Sequence, residues 1–73
     1  MSMAGPQGQA VQIVSKYLMP DGTLDGVAIF KTSQVAKFVI DLTQFQHDKD
    51  GAIAVVQSFI NAGFTYTGRE RSK

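Results

Sequence analysis

The stretch DKDGAIAVVQSFINAGF, residues 48–64, decides the fold of this 73-residue chain, because it carries a start signal, a periodic middle and a stop signal. Asp48 or Asp50 offers a short carboxylate that accepts from an unsatisfied N–H of a first helical turn and sits favourably at the positive end of the helix dipole. Ile53, Val56, Phe59 and Ile60, with Val55 beside them, then share one face at helical spacing. Asn61-Ala62-Gly63 ends the helix, since glycine suits the left-handed position just past a helix terminus. Phe64 follows directly, placed to fold back over the last turn. A helix with one apolar face needs a sheet or a second helix to cover it.

On its C-terminal side, Phe64-Thr65-Tyr66-Thr67 alternates and predicts a short edge strand. On its N-terminal side, residues 32–46 fit two periods. As a strand, Ala36, Phe38, Ile40 and Leu42 face one way, with Lys37, Asp41 and Thr43 facing the other. As a helix, Gln34, Lys37, Asp41 and Gln44 form a polar stripe in which Lys37 and Asp41 are an i,i+4 pair. The β-branched Val35, Val39, Ile40 and Thr43, and the lack of a capping-box acid after Thr32 or Ser33, favour the strand.

Gly26 to Lys31 also reads as a strand, and Pro20-Asp21-Gly22-Thr23 before it has turn chemistry: proline presets φ, and Asp-Gly tolerates positive φ. Residues 10–19 place Val11, Ile13, Tyr17 and Met19 at even spacing among β-branched and aromatic types, which predicts a first strand. A hairpin across residues 20–25 would join the two. The expected fold is therefore α+β: a small antiparallel β-sheet of three strands, or four if residues 64–67 join it, with one α-helix packed on one face. Residues 10–67 form the single domain. Residues 1–9, with no large apolar residue after Met3, are expected to be a disordered arm, and residues 68–73 a frayed basic tail.

Composition narrows the chemistry. The chain has no cysteine, no tryptophan and one histidine, so it offers no disulfide and no histidine–cysteine metal set. His47-Asp48-Lys49-Asp50-Gly51 borrows a fragment of a calcium loop, but Ile53 to Gly63 contain no carboxylate to complete it, which favours a loop and helix cap. Ser33 and Ser58 are nucleophiles by type only, with no base at recognisable spacing, and Gly5 and Gly8 belong to no phosphate-cradling pattern. No enzymatic activity, cofactor or metal is expected. Seven dispersed basic residues against six acids, net +1, argue against a dedicated nucleic-acid binder, whose affinity comes mostly from clustered phosphate neutralisation. No apolar run approaches the ~20 residues that span a bilayer, and the opening residues lack the basic and apolar regions of a signal peptide, so a cytoplasmic protein is expected, with no membrane association.

The length of 73 residues and the body from KYLMPDG (residues 16–22) to FINAGF (residues 59–64) resemble the small phage-encoded transcription regulators, of the Xanthomonas-phage type, that bind bacterial RNA polymerase. The resemblance spans the chain but rests on no diagnostic motif, so it transfers no interface residue. It implies binding to the N-terminal region of the polymerase β′ subunit, weakened or displaced σ factor, inhibited initiation and antitermination, all in the host bacterial cytoplasm. The interface candidates are physical instead: Lys31, Lys37, Phe45, Tyr66, Arg69 and Arg71, basic or aromatic groups suited to an acidic or apolar patch. A monomer is expected. The second reading is a small nucleic-acid-binding protein using the sheet face and the basic C-terminal tail, with direct nucleic-acid contact the less favoured of the two.

Overall fold

The structure is a computed structural model that describes residues 8–34 and 37–70. Helix α1 (Gly8–Ser15) leads into strand β1 (Val27–Lys31) and strand β2 (Phe38–Asp41). A 3-10 turn (Leu42–Phe45), helix α2 (Lys49–Asn61) and strand β3 (Thr65–Glu70) complete the order. The sheet has three antiparallel strands in the order β2-β1-β3, so the α+β expectation holds, with two helices where one was expected.

The extra helix corrects the reading of residues 10–19 as a strand. Ala10, Ile13, Val14 and Tyr17 are the buried residues of this segment, and they stand at i, i+3, i+4 and i+7, the stripe of a helix facing a core. Strand alternation would have buried Val11 and Met19, which are 41% and 42% exposed. β-Branched content favoured a strand, but strand propensity largely reflects packing context and yields when a helical stripe finds a core. The helix begins at Gly8, two residues inside the expected arm, and its end tightens through i→i−3 bonds from the N–H of Lys16 to Ile13 O (3.1 Å) and of Tyr17 to Val14 O (2.9 Å). Residues 1–7 of that arm lie outside the described residues.

The expected hairpin at 20–25 survives as its turn alone. The N–H of Gly22 donates to Met19 O (2.9 Å) and that of Met19 to Thr23 O (2.8 Å), closing an isolated antiparallel bridge between Leu18 and Leu24. Pro20 occupies the second turn position and Gly22 the positive φ of +90°. Asp21 Oδ1 accepts from both the N–H (2.9 Å) and the hydroxyl (2.6 Å) of Thr23, which locks the loop. The turn thus joins a helix to a strand.

Val35 and Ala36 lie outside the described residues, and within residues 32–46 the strand is found over 38–41, followed by the 3-10 turn. Asp41 ends one and caps the other: its Oδ1 accepts from the Thr43 N–H (3.0 Å) and hydroxyl (2.5 Å), repeating the Asp21–Thr23 arrangement. β1 is the central strand. Ala28 lies opposite Ile40, and Phe30 opposite both Phe38 and Tyr66, so these side chains share the face that meets the helices. β3 confirms the edge strand expected at 64–67 and runs on to Glu70, so residues 68–70 of the expected frayed tail belong to the sheet. A register shift in the β1–β3 pairing falls between Ile29 and Phe30.

Helix α2 follows its sequence signals. Asp48 is the N-cap, its Oδ1 accepting from the Gly51 N–H (2.9 Å). The N–H of Gly63 donates to Ile60 O (3.0 Å) and that of Phe64 to Phe59 O (3.0 Å), the double closure of a Schellman motif, with Gly63 at φ +99°. Phe64 does fold back: its ring centroid is 5.1 Å from that of Phe59. Ala10, Val14, Tyr17, Phe30, Leu42, Ala52 and Val56 are essentially solvent-free at the centre of the core. Each large member contributes about 1.5–3 kcal/mol by leaving water.

Candidate interaction surface

Both helices contribute to a core cluster whose sheet residues are Ala28, Phe30 and Ile40, all on one face. The opposite face meets solvent. It displays Val27, Ile29 and Lys31 from β1, Val39 and Asp41 from β2, and Thr65 from β3. Val39 lies opposite Ile29, and Ile29 opposite Gly68, so an aliphatic row crosses the sheet and ends on bare backbone. Val39 is 44% exposed and Ile29 half-buried. Lys31 ends β1 and Lys37 immediately precedes β2, next to the last paired residues Phe30 and Phe38, and both lysines are exposed. The face therefore runs from two cations through an aliphatic middle to Asp41.

Lys31 and Lys37 thus lie at the same end of the β1–β2 pair. Phe45 is not with them: it sits half-buried in the 3-10 turn at the edge of the core. Tyr66 is also half-buried, on the helix-covered face, with its ring edge-on to Phe30 (centroids 5.5 Å). Arg69 pairs through its backbone with Ala28 in β3, and Arg71 lies outside the described residues.

At the β3 edge the two tyrosines meet. Tyr17 is buried, its hydroxyl 2.9 Å from that of Tyr66 and 3.4 Å from Val27 O, to which it donates. Either hydroxyl can supply the proton between the two tyrosines. Lys16 Nζ stands 5.4 Å from the Tyr66 ring centroid, within cation–π range, and with Thr67 and Gly68 the pair lines a shallow depression of about 580 Å³. A second depression, about 540 Å³, lies by the turn at residues 20–25, where Met19, Pro20 and Leu24 meet Asp21 and Asp25. The Thr23 hydroxyl and N–H hold the Asp21 carboxyl below its usual range, aided by His47 and opposed by slight desolvation.

Sequence reasoning missed Phe38 and Val39 as exposed groups. Phe38 is 42% exposed although it points to the helix side, because β2 is an edge strand and nothing flanks its outer side among the described residues. The signal was present: an unbroken Phe38-Val39-Ile40 run in a strand puts apolar groups on both faces, and a one-sided sheet buries only one. Among the described residues, no three His, Cys, Asp or Glu side chains gather into a metal-holding group, and no helix is long and apolar enough to cross a membrane. No protein-family model, curated protein or solved structure matches this chain.

Proposed function

We propose that this chain is a non-enzymatic regulator that works by docking on another protein through the uncovered sheet face. The observation that carries the reading is the aliphatic row of Ile29 and Val39 left open to solvent between the Lys31–Lys37 end and Asp41. Exposed apolar surface rimmed by charge is the usual form of a protein interface, and a dispersed +1 charge supplies little of the salt-sensitive affinity that nucleic acid demands. The position of the aromatics also favours a protein partner. Phe30, Phe38 and Tyr66 point to the helix side, so the open face offers no ring on which bases would stack.

The sequence resemblance nominates the partner: bacterial RNA polymerase, at the N-terminal region of β′. Occupying that surface would shift σ affinity, acting in stoichiometric amounts on initiation and on termination. The test is retention of purified polymerase core and holoenzyme on the immobilised chain, with σ release followed in the flow-through. Retention is expected, weakened about tenfold or more by Lys31→Glu or Ile29→Thr, as for changes at an interface centre. Absence of every polymerase subunit from the retained fraction would remove the polymerase assignment.

A further inference from the structure

The outer edge of β2 is self-complementary, and we propose that it pairs with the same strand of a second copy in a two-fold antiparallel dimer. The register supplies the first part of the argument. Leu42 N–H donates to Gly26 O (3.0 Å), and the ladder above it pairs Val27 with Asp41, Ala28 with Ile40, Ile29 with Val39 and Phe30 with Phe38. Hydrogen-bonded and non-bonded pairs alternate along an antiparallel ladder, so Phe38 and Ile40 turn their main-chain groups towards β1. Val39 and Asp41 therefore turn their N–H and C=O groups outward, and Lys37 stands directly before the strand. β2 ends the sheet, and no strand pairs with that side among the described residues.

Charge supplies the second part. The strand and its preceding residue read Lys37-Phe38-Val39-Ile40-Asp41, a sequence whose character inverts about Val39. Setting Val39 opposite Val39 of a second copy places Lys37 opposite Asp41 of that copy, and symmetry repeats the pair. The residues brought into hydrogen-bonding register are the ones whose main-chain groups face outward. On the helix side the same register lays Phe38, 42% exposed, beside Ile40 of the second copy. On the open side it joins the two aliphatic rows, so Gly68, Ile29 and Val39 continue into Val39, Ile29 and Gly68 across the axis.

A four-residue edge strand and the residue before it bury much less than the ~1,200–2,000 Å² of a stable interface, so the association is weak. The pairing departs from the expected monomer and stands on the register of β2, whatever macromolecule the open face binds. Sedimentation equilibrium tests it, with the apparent mass expected to climb from 7.9 kDa towards twice that value as concentration rises. Val39→Lys sets two ammonium groups against each other at the axis, and Lys37→Asp turns both opposite-charge pairs into like-charge pairs. Because Lys37 and Val39 are exposed, both variants keep the wild-type fold, checked by near-ultraviolet circular dichroism. Each is expected to raise the dissociation constant by about tenfold or more, Val39→Lys through like charges on the axis and Lys37→Asp through a flanking pair that the symmetry repeats. A wild-type chain that stays at 7.9 kDa up to about 1 mM overturns the proposal. So does a dimer whose dissociation constant ignores either substitution.

Discussion

The hydroxyls of Tyr17 and Tyr66 meet 2.9 Å apart, joining the segment just after α1 to β3 across 49 positions of sequence. The two ends of the bond are unequal. Tyr17 is 1% exposed and depends on its partners for satisfaction, whereas Tyr66 is half-buried. Removing the shallower hydroxyl therefore costs more than removing the deeper one, because it strips a bond from an oxygen with little access to water.

From that asymmetry, Tyr17→Phe should lower stability by about 1 kcal/mol, and Tyr66→Phe by about 1–2 kcal/mol. The double variant should lose less than the sum, by about 0.5 kcal/mol or more, because the second change removes a group already left unpaired. Urea unfolding of the four chains decides this. Additive losses, or a larger loss for Tyr17→Phe, would contradict the arrangement.

A second prediction concerns the start of α2. A methyl group at Gly51 would land on the Asp48 carboxylate, the group that accepts the Gly51 N–H. Asp48→Ala should cost about 1 kcal/mol, the usual worth of an N-cap. Gly51→Ala should gain up to about 1 kcal/mol of helix propensity yet lose the cap, for a net cost of about 0.5 kcal/mol. Placed on the Asp48→Ala background, the same substitution should stabilise by about 0.5–1 kcal/mol. The sign reversal between backgrounds is the readout, followed by thermal or denaturant unfolding.

The turn at residues 20–25 yields a pH prediction. Thr23, through its hydroxyl and then its N–H, holds the Asp21 carboxyl below the ordinary value of 3.8. A carboxyl depressed in the folded state contributes stability above its unfolded pKa, and that contribution is lost as pH falls through the folded one. Asp21 should therefore add to acid destabilisation only below about 3.8. Thr23→Val removes the larger cause, so the Asp21 carboxyl resonance should titrate at higher pH in that variant. An unchanged titration midpoint would mean that the hydroxyl bond does not form.

Legibility in the sequence followed how local each signal was. Asp48, Gly63 and Phe64 act on neighbours within five positions, and α2 was read correctly at both ends. The Pro20-Asp21-Gly22-Thr23 turn was equally local, but what it connects was not. Residues 10–19 carry both an alternating set and the Ala10, Ile13, Val14, Tyr17 stripe, and only burial against α2 and the sheet selects the second. Of the proposed surface, Lys31 and Lys37 were found as exposed cations. Their place at one end of the β1–β2 pair, and the exposure of Val39, depend on the β1–β2 register and on β2 being an edge, neither of which the residues state individually. Phe45 and Tyr66 are half-buried because a small core recruits its half-polar and flanking aromatics to close its margins.

The last prediction tests that recruitment. Phe59 stands at the centre of a ring cluster, with centroids 4.9 Å from Phe38, 5.1 Å from Phe64 and 5.6 Å from Phe30. It therefore connects α2 to β1, to β2 and to the residue leading into β3. Phe59 is half-buried, so Phe59→Ala should cost about 3 kcal/mol, the lower end for a core phenylalanine. A domain of this length holds only on the order of 4–11 kcal/mol in all, so the variant should lose a large part of its stability. Phe59→Leu keeps most of the volume while losing the edge-to-face contacts, and should cost about 1–2 kcal/mol with folding retained. Phe64 meets two rings of the same cluster where Phe59 meets three, so Phe64→Leu should cost less than Phe59→Leu. Thermal unfolding followed by circular dichroism ranks the variants, and a Phe64→Leu loss equal to that of Phe59→Leu would show that the cluster has no centre.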